Sequence, residues 1–97
     1  MDIIISEDVI QYLENLRRRT LTIYTEIIGS CWSPRPEIFV RTREPVALED
    51  FQEYDVDGIK VYLFKDAKVD KEIILEMSKQ VSDLPNKEIA VKGIDLS

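Results

Sequence analysis

No histidine occurs anywhere in the 97 residues, and cysteine occurs once, at Cys31. Histidine is the commonest general base and metal ligand. Its absence excludes Ser-His-Asp and Cys-His catalysis within the chain, and zinc sites built on imidazole. A single cysteine excludes an intramolecular disulfide, in keeping with a reducing compartment. No run approaches the roughly 20 consecutive apolar residues that span a membrane. The opening Met1-Asp2-Ile3-Ile4-Ile5 has an acid where a secretory leader wants a base, and its apolar run is too short for a leader core. A cytoplasmic, non-enzymatic protein without membrane contact is expected.

Bases are missing from residues 44–57. Residues 1–43 hold six acids and six arginines, and residues 58–97 hold seven acids and seven lysines. Glu44, Glu49, Asp50, Glu53, Asp55 and Asp57 therefore carry the whole net charge of -6. Such a surface repels the phosphate backbone, so no nucleic-acid partner is expected. It would attract cations, or serve as a solvated loop and hairpin.

What is present reads as one α+β domain over residues 1–97. Asp2–Ile5 is β-branched and strand-like. Ser6 is placed to cap a helix, with Glu7 and Asp8 at its positive end, and Val9, Leu13 and Leu16 recur at helical spacing, with Ile10 widening the apolar face. Arg17, Arg18 and Arg19 would close that helix at its negative end. In Thr20–Ile28, Leu21, Ile23, Thr25 and Ile27 share one face by period two, and apolar groups also occupy the other, which predicts a central strand. Pro34 and Pro36 lack a ladder donor, so 29–36 is expected to be a loop. Over 37–43, Ile38, Val40 and Thr42 would face inward, and Phe39, Arg41 and Arg43 would face water. Phe51–Val56 and Ile59–Phe64 flank Asp57-Gly58, a hairpin turn in which both residues tolerate positive φ. Residues 71–82 fit a helix capped by Asp70 (Ile73, Ile74, Met77 and Val81 inward) as well as a strand (Ile73, Leu75 and Met77 inward). Leu84-Pro85-Asn86 reads as a turn, and 88–92 as a short strand stopped by Gly93.

This order resembles the HesB-like family, the A-type iron–sulfur carriers and their relatives. A helix over 7–18 precedes the strand 21–28. A Gly29-Ser30-Cys31 loop, the 38–42 strand, an acidic stretch and Asp57-Gly58-Ile59-Lys60-Val61-Tyr62 follow. The Gly-Ser-Cys element is similar to the branch of that family with a Cys-Cys or Cys-selenocysteine motif, with Trp32 at the second position. The resemblance implies one N-terminal helix packed on mostly antiparallel short strands, and a strand rather than a helix over 71–79. It also implies iron–sulfur or other metal chemistry centred on Cys31. Carriers add a C-terminal Cys-Gly-Cys, which the tail 90–97 lacks. The implied cluster chemistry is accordingly reduced or lost.

Three candidate sites follow. Cys31 is the one soft donor, and since an iron–sulfur cluster takes four ligands, it would have to be shared between subunits of an oligomer. Otherwise it packs as a small apolar group. Glu53-x-Asp55-x-Asp57-Gly58 has the first spacings of an EF-hand loop, but Phe64 stands where its bidentate Glu belongs. That excludes an EF-hand and leaves a weak calcium site as the alternative. Trp32 and Arg35 form a candidate contact for a partner protein. Arg35, Arg41 and Arg43 lie close enough in sequence to surround an anion, or to pair with the 44–57 acids.

Overall fold

The computed structural model describes residues 2–29, 31–78 and 88–95. Strand β1 (Asp2–Ile5) leads into helix α1 (Glu7–Leu16), followed by β2 (Thr20–Ile28) and β3 (Arg35–Arg41). A 3₁₀ turn over Leu48–Asp50 precedes β4 (Phe51–Val56), β5 (Ile59–Phe64), β6 (Lys68–Met77) and β7 (Ile89–Asp95). The strands make two sheets, one in the order β1-β6-β7 and one in the order β3-β2-β5-β4. Three of the five pairings are antiparallel, and β1–β6 and β2–β5 are parallel. The α+β class with one N-terminal helix and mainly antiparallel pairing is as expected.

Local chemistry sets the helix ends. The Ser6 hydroxyl accepts from the Val9 N–H at 3.4 Å, leaving Glu7 and Asp8 in the first turn. At the other end the arginines do not extend the helix. Arg17 is left-handed at φ 57°, the Arg17 N–H donates to Glu14 O, and the Arg18 N–H donates to Leu13 O, each at 3.0 Å. This is a Schellman closure, built on arginine where glycine is usual. Val9 and Leu13 are buried, whereas Leu16 stays exposed.

The core lies where the two sheets and α1 meet. Leu21 and Ile23 of β2, Val40 of β3 and Ile59, Val61 and Leu63 of β5 pack with Val9 and Leu13, Ile73 and Leu75 of β6, and Ile89 of β7. Each sheet contributes alternate residues, as a strand's period of two requires. β2 is central, as its two apolar faces predicted.

Residues 71–77 are strand, as the family resemblance implied. β6 is the middle strand of its sheet, and its alternating Ile73 and Leu75 are fully buried. The 79–82 part of the alternative helix, and the turn at Leu84-Pro85-Asn86, lie outside the described residues. The Asp57-Gly58 turn is as read: φ is 53° and 82°, and Val56 pairs with Ile59.

Three local expectations fail. Phe39 does not face water. It is 2% exposed and stacks on its cross-strand partner Tyr24, with ring centres 5.7 Å apart. Pro36 belongs to β3 rather than a loop, paired with Ile27. β3 is an edge strand, where a missing donor costs no ladder bond on the open side. Gly93 does not end the last strand: β7 continues to Asp95, opposite a register shift in β6 between Val69 and Ile74.

Candidate functional site

Two features of the β2–β3 hairpin define its outer half. β5 pairs only with residues 20–23 of β2, whereas the hairpin runs on to Ile28 and Arg35. The outer ladder therefore extends beyond the sheet that supports its base. At its tip, the turn after Gly29 carries Cys31 and Trp32, both exposed, Trp32 to 93%. Exposed Ile27 lies on the same outer ladder, and Arg35, at the start of β3, forms an ion pair with Glu37 at 3.0 Å. The structure thus brings Cys31, Trp32 and Arg35 to one projecting element. Cys31 is not packed in the core.

The acidic hairpin is arranged differently. The Tyr62 hydroxyl donates to Glu53 Oε1 at 3.0 Å, and Lys60 Nζ lies 3.6 Å from the same oxygen. The Asp55 carboxylate accepts from the Gly58 N–H at 3.2 Å, closing the turn on which Asp57 sits. Glu53 and Asp55 are thus engaged with protein donors, and the Lys60 ammonium stands beside Glu53. Among the described residues, no three His, Cys, Asp or Glu side chains converge where a metal ion would sit.

Tyr62 and its cross-strand partner Thr22 are both buried in the β3-β2-β5-β4 sheet. The chain must cross from β3, at one edge, to β4 at the other. Where it leaves β3, the buried Thr22 hydroxyl donates to the Arg43 carbonyl, and Glu44 follows. Burial pushes the Tyr62 phenol above its ordinary 10.0, and the hydrogen bond to Glu53 and the charges of Glu53 and Glu44 push the same way.

The remaining arginines do not gather as the sequence suggested. Arg35 is at the tip, whereas Arg41 and Arg43 lie at the far end of β3. There they meet Arg18, whose Nη1 donates to Thr42 Oγ1 at 2.8 Å across 24 residues of sequence. The left-handed turn at Arg17 aims Arg18 away from the helix. Three successive arginines give no local signal for that turn, so sequence reasoning missed this meeting.

The family model described as the CC/Se motif containing family matches residues 1–94. The chain belongs to the CC/Se-motif family. No curated protein and no solved structure matches it. Within this CC/Se-motif chain Cys31 is the only cysteine, and Trp32 follows it. No helix among the described residues is long and apolar enough to cross a membrane.

Proposed function

We propose that this CC/Se-motif protein is a non-catalytic, HesB-related binding domain. Its working element is the β2–β3 tip, and it holds no cluster in a single chain. One observation carries the reading: the only thiol stands exposed on a projecting hairpin beside a tryptophan that is 93% exposed. Large apolar groups at such a position favour contact with a second chain, because covering them removes apolar area from water.

One thiolate does not fit an iron–sulfur cluster, which takes four ligands. Iron held through Cys31 would need ligands from a second chain, so metal content and association are linked in this reading. The acids of β4 have no part in it, since Tyr62, Lys60 and the Gly58 N–H already engage Glu53 and Asp55.

The test combines iron and sulfide analysis, a visible spectrum and sedimentation on anaerobically purified wild type, Cys31→Ser and Trp32→Ala. Association is expected in the wild type and weakened in Trp32→Ala. Any iron is expected to travel with the associated form and to vanish in Cys31→Ser. Stoichiometric iron on a monomer, iron retained in Cys31→Ser, or association unchanged in Trp32→Ala overturns the reading.

A further inference from the structure

We propose that the pocket formed by Arg18, Arg41, Thr42 and Arg43 is a binding site for a small oxyanion with two negative charges, a phosphate or phosphomonoester. The site lies at the opposite end of β3 from the hairpin tip, roughly 20 Å away at about 3.4 Å per residue. It is therefore independent of the function proposed for that tip.

The pocket has a volume of about 330 Å³, and among the described residues its lining is three arginines and one threonine, with no carboxylate. This is unusual in a chain of net charge -6. The volume is at the small end of ligand pockets, enough for a phosphate and a short organic body.

Two of the three guanidinium groups are held by side-chain contacts, and the third residue by its backbone. Arg18 donates through Nη1 to Thr42 Oγ1 at 2.8 Å, which leaves its other N–H groups for a ligand. Arg41 lies over the Tyr24 ring, its guanidinium carbon 4.8 Å from the ring centre, and donates through Nε to the Tyr24 hydroxyl at 3.2 Å. Its two terminal nitrogens remain available. The backbone of Arg43 is pinned by the Thr22 hydroxyl. Thr42 accepts from Arg18, so its own proton is directed to a further acceptor. Forked guanidinium donors and a hydroxyl proton together match the tetrahedral oxygens of phosphate, and charge-assisted bonds of this kind are the strong ones. Holding Arg18 and Arg41 beforehand lowers the entropy lost on binding. A long polyanion is disfavoured, because the uncompensated acids of 44–57 begin at Glu44, directly after the site.

The experiment is an NMR titration of the full chain with sodium phosphate, and separately with phenyl phosphate, at constant ionic strength set by chloride. The signals read are the arginine Nε–Hε groups and the backbone amides. Saturable shifts confined to Arg18, Arg41, Thr42 and Arg43 are expected. Arg43→Gln, which removes a side chain outside the packing of the fold, should weaken binding about three- to tenfold, discounted for solvent exposure. Arg35→Gln, at the other end of β3, should leave binding unchanged. Saturation by phosphate alone assigns the site to the free ion, and tighter saturation by phenyl phosphate assigns it to a phosphomonoester. Linear shifts spread over the exposed lysines and arginines, or an unaltered isotherm in Arg43→Gln, overturn the proposal.

Discussion

Replacing Gly93 with alanine should be among the most damaging single-methyl changes available in this chain. Gly93 has φ +97°, and a Cβ built there would stand 1.8 Å from the carbonyl oxygen of Glu72 and 3.0 Å from its carbon. The obstacle is backbone in β6, the middle strand of its sheet, so it cannot swing aside as a side chain would. The positive φ costs an L-residue about 1–3 kcal/mol, and relieving the overlap by displacing β7 adds about 1–3 kcal/mol. The total, about 2–6 kcal/mol, is a large share of the roughly 5–15 kcal/mol that holds a domain together. Gly58→Ala is the matched control. Its φ of +82° imposes a comparable conformational cost, but the nearest atom to its Cβ is the Arg19 side chain at 3.8 Å, an ordinary contact. About 1 kcal/mol is expected there. Urea unfolding followed by circular dichroism measures both. With slopes of about 1–3 kcal/mol/M, Gly93→Ala should lower the midpoint by roughly 1–3 M and Gly58→Ala by under about 1 M. If the two variants lose equal stability, steric exclusion at the β6 register shift is not what requires glycine at 93.

The two faces of the outer hairpin predict an inverted pair of effects. Phe39→Ala should cost about 3–5 kcal/mol in the same urea assay, while Ile27→Ala, at a 69% exposed position, should change stability by under about 0.5 kcal/mol. Arg17→Gly should stabilise by about 1 kcal/mol, read as a rise in thermal midpoint, because glycine adopts the left-handed closure of α1 without Cβ strain. The raised phenol of Tyr62 implies a proton held more tightly when folded than unfolded. Its contribution to stability is full below the unfolded value of 10.0 and is lost as pH rises from there through the folded value. Stability measured against alkaline pH should fall less steeply in Tyr62→Phe than in the wild type.

Much of the framework was legible because the rules involved are local. A hydroxyl one residue before a helix, followed by acids, marks Ser6 as a cap. Asp57-Gly58 marks a turn because only certain residues accept positive φ at both positions. The apolar groups on both faces of Thr20–Ile28 mark a central strand. The absence of histidine and of a second cysteine is legible without coordinates, and leaves Cys31 as the one soft donor in these 97 residues. The helix-or-strand choice at 71–77 was not open to periodicity. Ile73 and Met77 satisfy both spacings, and pairing with β1 and β7 decides between them. Burial of Phe39 was equally out of reach, because it involves the Tyr24 ring that pairing of β2 with β3 sets against it. That pairing is a tertiary contact, which the alternation of 37–43 does not contain. Pro36 entered a strand because β3 turned out to be an edge. At the candidate sites, the sequence by itself determined which chemical groups exist: one thiol, one tryptophan beside it, a block of acids and a set of arginines. Only the tertiary structure decided their company. It put Cys31 and Trp32 on a projecting tip, engaged Glu53 and Asp55 with protein donors, and carried Arg18 across 24 residues to Thr42. Capping and turn geometry are settled within a few residues, whereas burial and contact between charged groups depend on which distant segments the sheets bring side by side.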